Sequence, residues 1–154
     1  MGTRARKTLT LAAGVALAAS LAGCGGGSSS GGSDMQDVSM ATIKDDGTNE
    51  ENAALCMKLF GDPVPRIKKI FGKDVPDAKW SGVAAHRDHV GISCSTTKPI
   101  QLYLSTDKTW AGTEETVGQV GKISYGYERY QSYTDEQDKG LVEWAKEAAS
   151  HLKE

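Results

Sequence analysis

The sequence predicts an α+β domain in which N-terminal and C-terminal helices pack on one face of a small antiparallel sheet of four or five strands, with one disulfide. Apolar residues recur at helical spacing near residues 48–72 and 134–152, whereas short β-compatible runs fill the segment between them. Helices and strands are therefore segregated along the chain. This order favours an antiparallel sheet covered by helices over alternating parallel units.

The first helix is predicted to start at Thr48, because Thr48 and Glu51 have the spacing of a capping box. Gly61 and Pro63 end this helix. Its apolar face consists of Ala53, Leu55, Cys56, Leu59 and Phe60. A second helix of barely two turns is predicted after Pro65, with apolar positions at Ile67, Ile70 and Phe71 followed by Gly72.

Four or five short strands are predicted between residues 80 and 127. The runs 80–86 and 89–95 are separated by Arg87 and Asp88, which predicts a hairpin with a two-residue turn. Apolar residues at Ile100, Leu102 and Leu104 alternate with polar ones, as in a half-buried strand. The run 117–127 is either two strands or one strand interrupted at Gly121.

The last helix has the clearest pattern in the chain. Thr134 and Gln137 match a second capping box. An apolar stripe follows at helical spacing and is expected to lie on the sheet: Leu141, Trp144, Ala145, Ala148 and Leu152.

An export signal precedes the domain. Arg4, Arg6 and Lys7 form a basic head, and the segment 9–21 is apolar and uncharged, which is the layout of a secretory signal. That segment is shorter than the roughly 20 residues that a membrane-spanning helix needs. Because Ala5 separates the two arginines, we expect the general secretory route.

The segment Leu21-Ala22-Gly23-Cys24 resembles the lipobox of bacterial lipoproteins. The resemblance implies a signal peptide at 1–23 and a diacylglycerol-modified Cys24 that anchors the mature chain to the cell membrane. A flexible Gly/Ser-rich tether at 24–47, with a reach on the order of 25 Å, then leads to one globular domain at 48–154. The layout is also similar to that of small lipoproteins of high-GC Gram-positive bacteria, a likeness that carries no activity.

The remaining cysteines, Cys56 and Cys94, are an even pair in a chain expected to be exported, so we predict a disulfide between the first helix and the second strand. Neither belongs to a C-x-x-C motif, which gives little support to a redox or thiolate metal site.

The charge of the mature chain argues against nucleic acid as a partner. Removing residues 1–23 removes three basic groups and no acidic ones, which leaves 15 basic and 20 acidic residues. The surface is therefore net negative.

Candidate functional residues are few. His86 and His89 flank the predicted turn, and if they stand opposite each other they could share a metal ion; two exposed polar residues at a loop is the favoured alternative. Trp110, Tyr125, Tyr127, Tyr130 and Tyr133 form a candidate binding surface. The alternative for the tyrosines is that they pack over the sheet edge and against the last helix.

No nucleophile elbow, zincin or P-loop motif is present, and no cofactor is predicted. The sequence therefore favours an anchored binding or accessory module for a protein, peptide or envelope glycan. A small metal-dependent hydrolase using His86 and His89, and a structural envelope protein, remain as alternatives.

Overall fold

The structure is a computed structural model that describes residues 34–96, 100–107 and 115–154. It is an α+β fold, as the sequence predicts. The helices are α1 (Asn49–Phe60), α2 (Pro63–Phe71) and α3 (Asp135–His151), with a short 3₁₀ helix at Met40–Thr42. The strands are β1 (Val38–Ser39), β2 (Trp80–His86), β3 (Val90–Thr96), β4 (Gln101–Ser105), β5 (Glu115–Val120), β6 (Ile123–Tyr127) and β7 (Leu152–Lys153).

Both predicted capping boxes are confirmed. The hydroxyl of Thr48 accepts a hydrogen bond from the amide of Glu51, and that of Thr134 accepts one from the amide of Gln137, with the reciprocal bonds also present. Helix α2 starts earlier than predicted, because Asp62 caps it and Pro63 occupies its first turn, where a missing amide hydrogen has no cost.

The main sheet has five antiparallel strands in the order β2-β3-β4-β6-β5. The run 117–127 forms two strands joined at Gly121 and Lys122 rather than one. The predicted two-residue turn between β2 and β3 is wrong: His86 lies opposite Val90, so the turn comprises residues 87–89. A tight two-residue turn favours glycine, which this connection lacks. A third residue lets the chain reverse its direction without such a turn.

The core lies between the sheet and the helices, around two tryptophans. Trp80 and Trp144 have ring centroids 5.5 Å apart, and Phe60 lies 5.6 Å from Trp80. Both indoles also donate hydrogen bonds to the C-terminal end of α1: Trp80 to the carbonyl of Gly61 at 2.7 Å, and Trp144 to that of Phe60 at 2.8 Å. These bonds satisfy carbonyls that the end of a helix leaves without partners.

The predicted tether extends too far. Residues 34–47 belong to the fold rather than to a flexible spacer, because Val38 pairs with Leu152 in the parallel β1–β7 pair and Ile43 is fully buried. Asp37 also lies 2.9 Å from His151 at the end of α3. The fold therefore includes residues 34–47, which the sequence assigns to the tether.

The predicted disulfide is present: Cys56 of α1 bonds to Cys94 of β3, and both residues are fully buried. Gly82 on the neighbouring strand β2 makes room for it, since a side-chain carbon there would lie 2.6 Å from the Cys56 sulfur. A buried disulfide of this kind is typical of proteins outside the cytoplasm. In the described part of the chain, no helix combines the length and apolar character needed to cross a bilayer.

Candidate functional site

A concavity lies beside α2, and we call it the α2 cleft. Its volume is about 710 Å³, within the range of small-molecule and side-chain binding pockets. Four segments form its walls: the inner side of α2, the connection 73–77, the residue before β4, and the segment that leads into α3. The lining residues are Ile67, Phe71, Lys73, Asp74, Val75, Pro76, Asp77, Ile100, Ser132, Tyr133 and Gln137.

Gly72 ends α2, between the lining residues Phe71 and Lys73. Its backbone is in the left-handed region (φ 65°, ψ 16°), and its amide donates to the carbonyl of Lys68 at 2.9 Å. Glycine adopts this conformation without steric cost, which is why it commonly follows the last residue of a helix. The chain then turns away from α2 through residues 73–77, and the amide of Ala78 closes a turn on the carbonyl of Val75.

A polar contact fixes α2 against α3. Arg66 makes a 2.7 Å ion pair with Glu147, and its guanidinium carbon lies 5.9 Å from the centroid of the Trp144 ring. The Arg66 side chain is only 12% exposed, so this pair is better shielded from water than a surface salt bridge. The wall that carries Ile67 and Phe71 is thereby held in place.

Aromatic rings form one side of the cleft. Phe71 and Tyr133 have centroids 5.3 Å apart with planes inclined by 58°, and Tyr130 meets Tyr133 edge-on at 5.5 Å. Burial raises the pKa of Tyr133 well above its ordinary range, and the negative charges of Glu128 and Asp138 add to the effect. The Tyr133 phenol therefore stays protonated at every physiological pH.

The rim of the cleft is polar and carries both signs of charge. Asp74 is paired with Lys68 at 2.8 Å, and both side chains are largely exposed. The side-chain carbonyl of Gln137 accepts from the amide of Thr134 at 3.0 Å as part of the capping box of α3. Because this bond fixes the carboxamide, Gln137 presents a preset polar group at the cleft.

The lining of the cleft combines apolar, aromatic and polar groups. Ile67, Val75 and Ile100 offer apolar surface, Phe71 and Tyr133 offer rings, and the rim offers hydrogen-bonding groups. Clefts with an apolar interior and a few placed polar groups are the usual form of ligand sites. Among the described lining residues there is no histidine or cysteine, and the carboxylates of Asp74 and Asp77 lie in the connection at the rim.

The predicted aromatic surface divides into two groups. Tyr125 and Tyr127 are buried in the core at 6% and 5% exposure, so they are not a binding surface. The hydroxyl of Tyr127 donates to Asp138 at 2.9 Å. Tyr130 and Tyr133 are half-buried, and Tyr133 lines the α2 cleft.

Two predicted positions, Trp110 and Cys24, lie outside the described residues. Their proposed roles in binding and in lipidation stay predictions.

The two histidines are not placed as a facing pair. His86 ends β2 opposite Val90, whereas His89 lies in the turn. The Nδ1 atom of His86 contacts the carbonyl of Ile43 at 2.5 Å, and its backbone amide donates to Asp45. The described part of the chain contains no group of three or more potential metal ligands.

Sequence reasoning missed most of the α2 cleft. Ile67 and Phe71 were assigned to the apolar face of α2 and Ile100 to a strand, and nothing in their spacing indicated that they border a concavity. The run of turn-forming residues at 72–77 is the one local signal that could have indicated an exposed connection there.

The comparisons with known proteins give no assignment: no protein-family model, curated protein or solved structure matches the chain.

Proposed function

We propose that this protein is a lipid-anchored extracytoplasmic binding module, and that its α2 cleft takes an apolar group of an envelope peptide or glycan. The observation that carries the proposal is the cleft itself, which the contacting rings of Phe71 and Tyr133 line together with apolar and polar side chains. Buried aromatic side chains in pockets supply much of the energy in protein recognition.

The proposed anchor rests on the signal-like segment and on the Leu21-Ala22-Gly23-Cys24 motif. The Cys56–Cys94 disulfide agrees with export, because disulfides persist in oxidising compartments. A flexible tether formed by the Gly/Ser-rich residues 24–33 would have a root-mean-square reach on the order of 18 Å. The cleft would therefore sample a layer close to the membrane surface, where envelope polymers and membrane proteins are its available ligands.

The partner can be captured in the native envelope by replacing Ser132, at the rim of the cleft, with a photoreactive phenylalanine derivative. Irradiation of cells carrying the full-length chain is expected to yield a discrete adduct. The matched control places the same group at Lys146, an exposed residue of α3 that does not line the cleft. A Ser132 variant that yields no adduct, or the same adducts as the Lys146 variant, contradicts the proposal.

A second variant tests the cleft without the photoreactive group. Ser132→Trp introduces a large side chain at the cleft, whereas Gln131→Trp places the same side chain on the neighbouring exposed residue, which does not line it. Once a ligand is captured, Ser132→Trp is expected to weaken its binding at least about tenfold, or about 1.4 kcal/mol. Equal affinity in the two variants argues against the cleft as the site.

A further inference from the structure

Strand β2 is an edge of the main sheet, and its outward backbone groups can be identified from the register. The carbonyl of Val90 accepts a hydrogen bond from the amide of Thr106, and the amide of Thr96 donates one to the carbonyl of Ile100. The backbone groups of Val90, of Thr96 and of every second residue between them therefore point toward β4. The intervening residues of β3 therefore bond to β2, where their partners are Ser81, Val83 and Ala85. The backbone groups of Trp80, Gly82, Ala84 and His86 consequently point away from the sheet.

One end of this edge is capped, whereas the other outward amides have no hydrogen-bond partner among the described residues. The amide of His86 donates to the carboxylate of Asp45, which caps the strand at that end. The amides of Trp80, Gly82 and Ala84 donate to no residue in the described part of the chain. An edge with unpaired ladder groups is a template for another strand.

The composition of β2 does not protect this edge. Natural edge strands are blunted by charges, prolines or short length, yet β2 runs for seven residues without a charge or a proline. On its solvent face Val83 is 68% exposed, and Met57 of α1, the helix that covers β2, is 43% exposed. Exposed apolar side chains thus occur both on the edge strand and on the helix above it.

We propose that β2 is a self-association surface, on which β2 of a second copy of this chain pairs antiparallel with Gly82 opposite Gly82. In this register Trp80 lies opposite Ala84 of the other copy, so every outward amide and carbonyl from Trp80 to Ala84 gains a partner. The end capped by Asp45 stays outside the paired segment. The interface is independent of the α2 cleft.

Self-complementarity favours a second copy over an unrelated peptide. An uncharged strand meets itself without like-charge repulsion across the pair. A two-fold contact of this kind is closed, so it covers the β2 edge of both copies at once instead of propagating through β2 into a fibre. If Cys24 is lipidated as proposed, confinement to one membrane also raises the effective concentration of the two copies.

Disulfide cross-linking tests the register directly in the full-length protein in its membrane. Ser81 and Val83 of the other copy would form a non-hydrogen-bonded pair with Cα atoms about 4.5 Å apart, within the range that a disulfide bridges. Cells that produce the Ser81→Cys and Val83→Cys chains together are expected to form a cross-linked dimer. Ser81→Cys alone is expected to form little, because diagonal neighbours are about 7–8 Å apart.

A second experiment introduces a charged side chain on β2 and measures the dissociation constant of the dimer. In the full-length protein solubilised in detergent, sedimentation should detect a monomer–dimer equilibrium, and Val83→Lys should raise its dissociation constant at least about tenfold. The matched control is Val117→Lys on β5, the opposite edge, where the valine is 37% exposed; it should leave the constant unchanged. Val83 faces solvent, so unchanged circular dichroism will show that the variant folds.

A wild-type chain that stays monomeric at all concentrations overturns the proposal, even if β2 then captures a strand of another protein. So does a dimer that Val83→Lys leaves intact, or cross-linking of Ser81→Cys alone as efficient as that of the mixed pair.

Discussion

Removing the Cys56–Cys94 disulfide is expected to destabilise the domain by about 4 kcal/mol through the unfolded chain alone. The bond closes a loop with a sequence separation of 38 residues, and the loss of chain entropy on closing a loop of that length corresponds to about 4 kcal/mol at 25 °C. Cys56→Ala with Cys94→Ala adds roughly 1 to 2 kcal/mol, because both side chains are fully buried and truncation leaves space beside Gly82.

Equilibrium unfolding in urea measures this loss, with fluorescence of the buried Trp80 and Trp144 as the signal. Reduced wild-type protein keeps both sulfurs and should lose only the loop contribution, which separates chain entropy from packing. Since small domains are stable by about 5–15 kcal/mol, the double variant should be close to unfolding at 37 °C. A double variant and a reduced protein that both unfold within 1 kcal/mol of the oxidised wild type, on the order of the error of extrapolation, would refute the reasoning.

Three further predictions concern Ile43, Tyr127 and Tyr133. Ile43→Ala should cost about 2–5 kcal/mol in urea unfolding, since the side chain is fully buried; a change below about 0.5 kcal/mol, typical of surface sites, would mean that residues 34–47 lie outside the cooperative fold. Tyr127→Phe should cost about 1.5–3 kcal/mol, because it removes a hydrogen bond to the buried Asp138 carboxylate; thermal unfolding checks this, and an unchanged midpoint contradicts it. Because the pKa of Tyr133 is raised in the folded protein, its phenol ionises at a lower pH in the unfolded chain. Its contribution to the free energy of unfolding is therefore fully present below about pH 10 and falls as the pH rises further. Tyr133→Phe should flatten this dependence of stability on pH, and an identical dependence in both proteins would contradict the assignment.

Local signals predicted the helices well. Thr48 and Thr134 cap α1 and α3 through hydrogen bonds to residues three positions away. Such bonds depend on residues that are close together in the sequence, so a short motif is enough to predict them. The disulfide was also predictable, because only two cysteines, Cys56 and Cys94, follow the lipobox Cys24.

Long-range pairings were not predictable in the same way. Val38 joins the fold by pairing with Leu152, at the other end of the domain, and no local period marks a two-residue strand. The β2–β3 turn is one residue longer than the sequence predicts. The additional residue places His89 in the turn instead of in a strand position opposite His86.

The α2 cleft shows the same limit. Tyr133 was a candidate from composition, but the site exists because α2, Ile100 and the segment before α3 meet in space. Tyr125 and Tyr127 came from the same cluster in sequence and went to the core, since the alternation of β6 turns both toward the helices. Composition thus identified the aromatic residues without identifying which of them face solvent.

The central claim is that the chain is exported, lipidated and oxidised, and the intact mass of the protein isolated from its native membrane tests it most directly. The account predicts a chain that begins at Cys24, carries the added mass of diacylglycerol and lacks two hydrogens at Cys56 and Cys94 relative to the reduced form. An unacylated chain that begins at Met1 with all three cysteines reduced would contradict it.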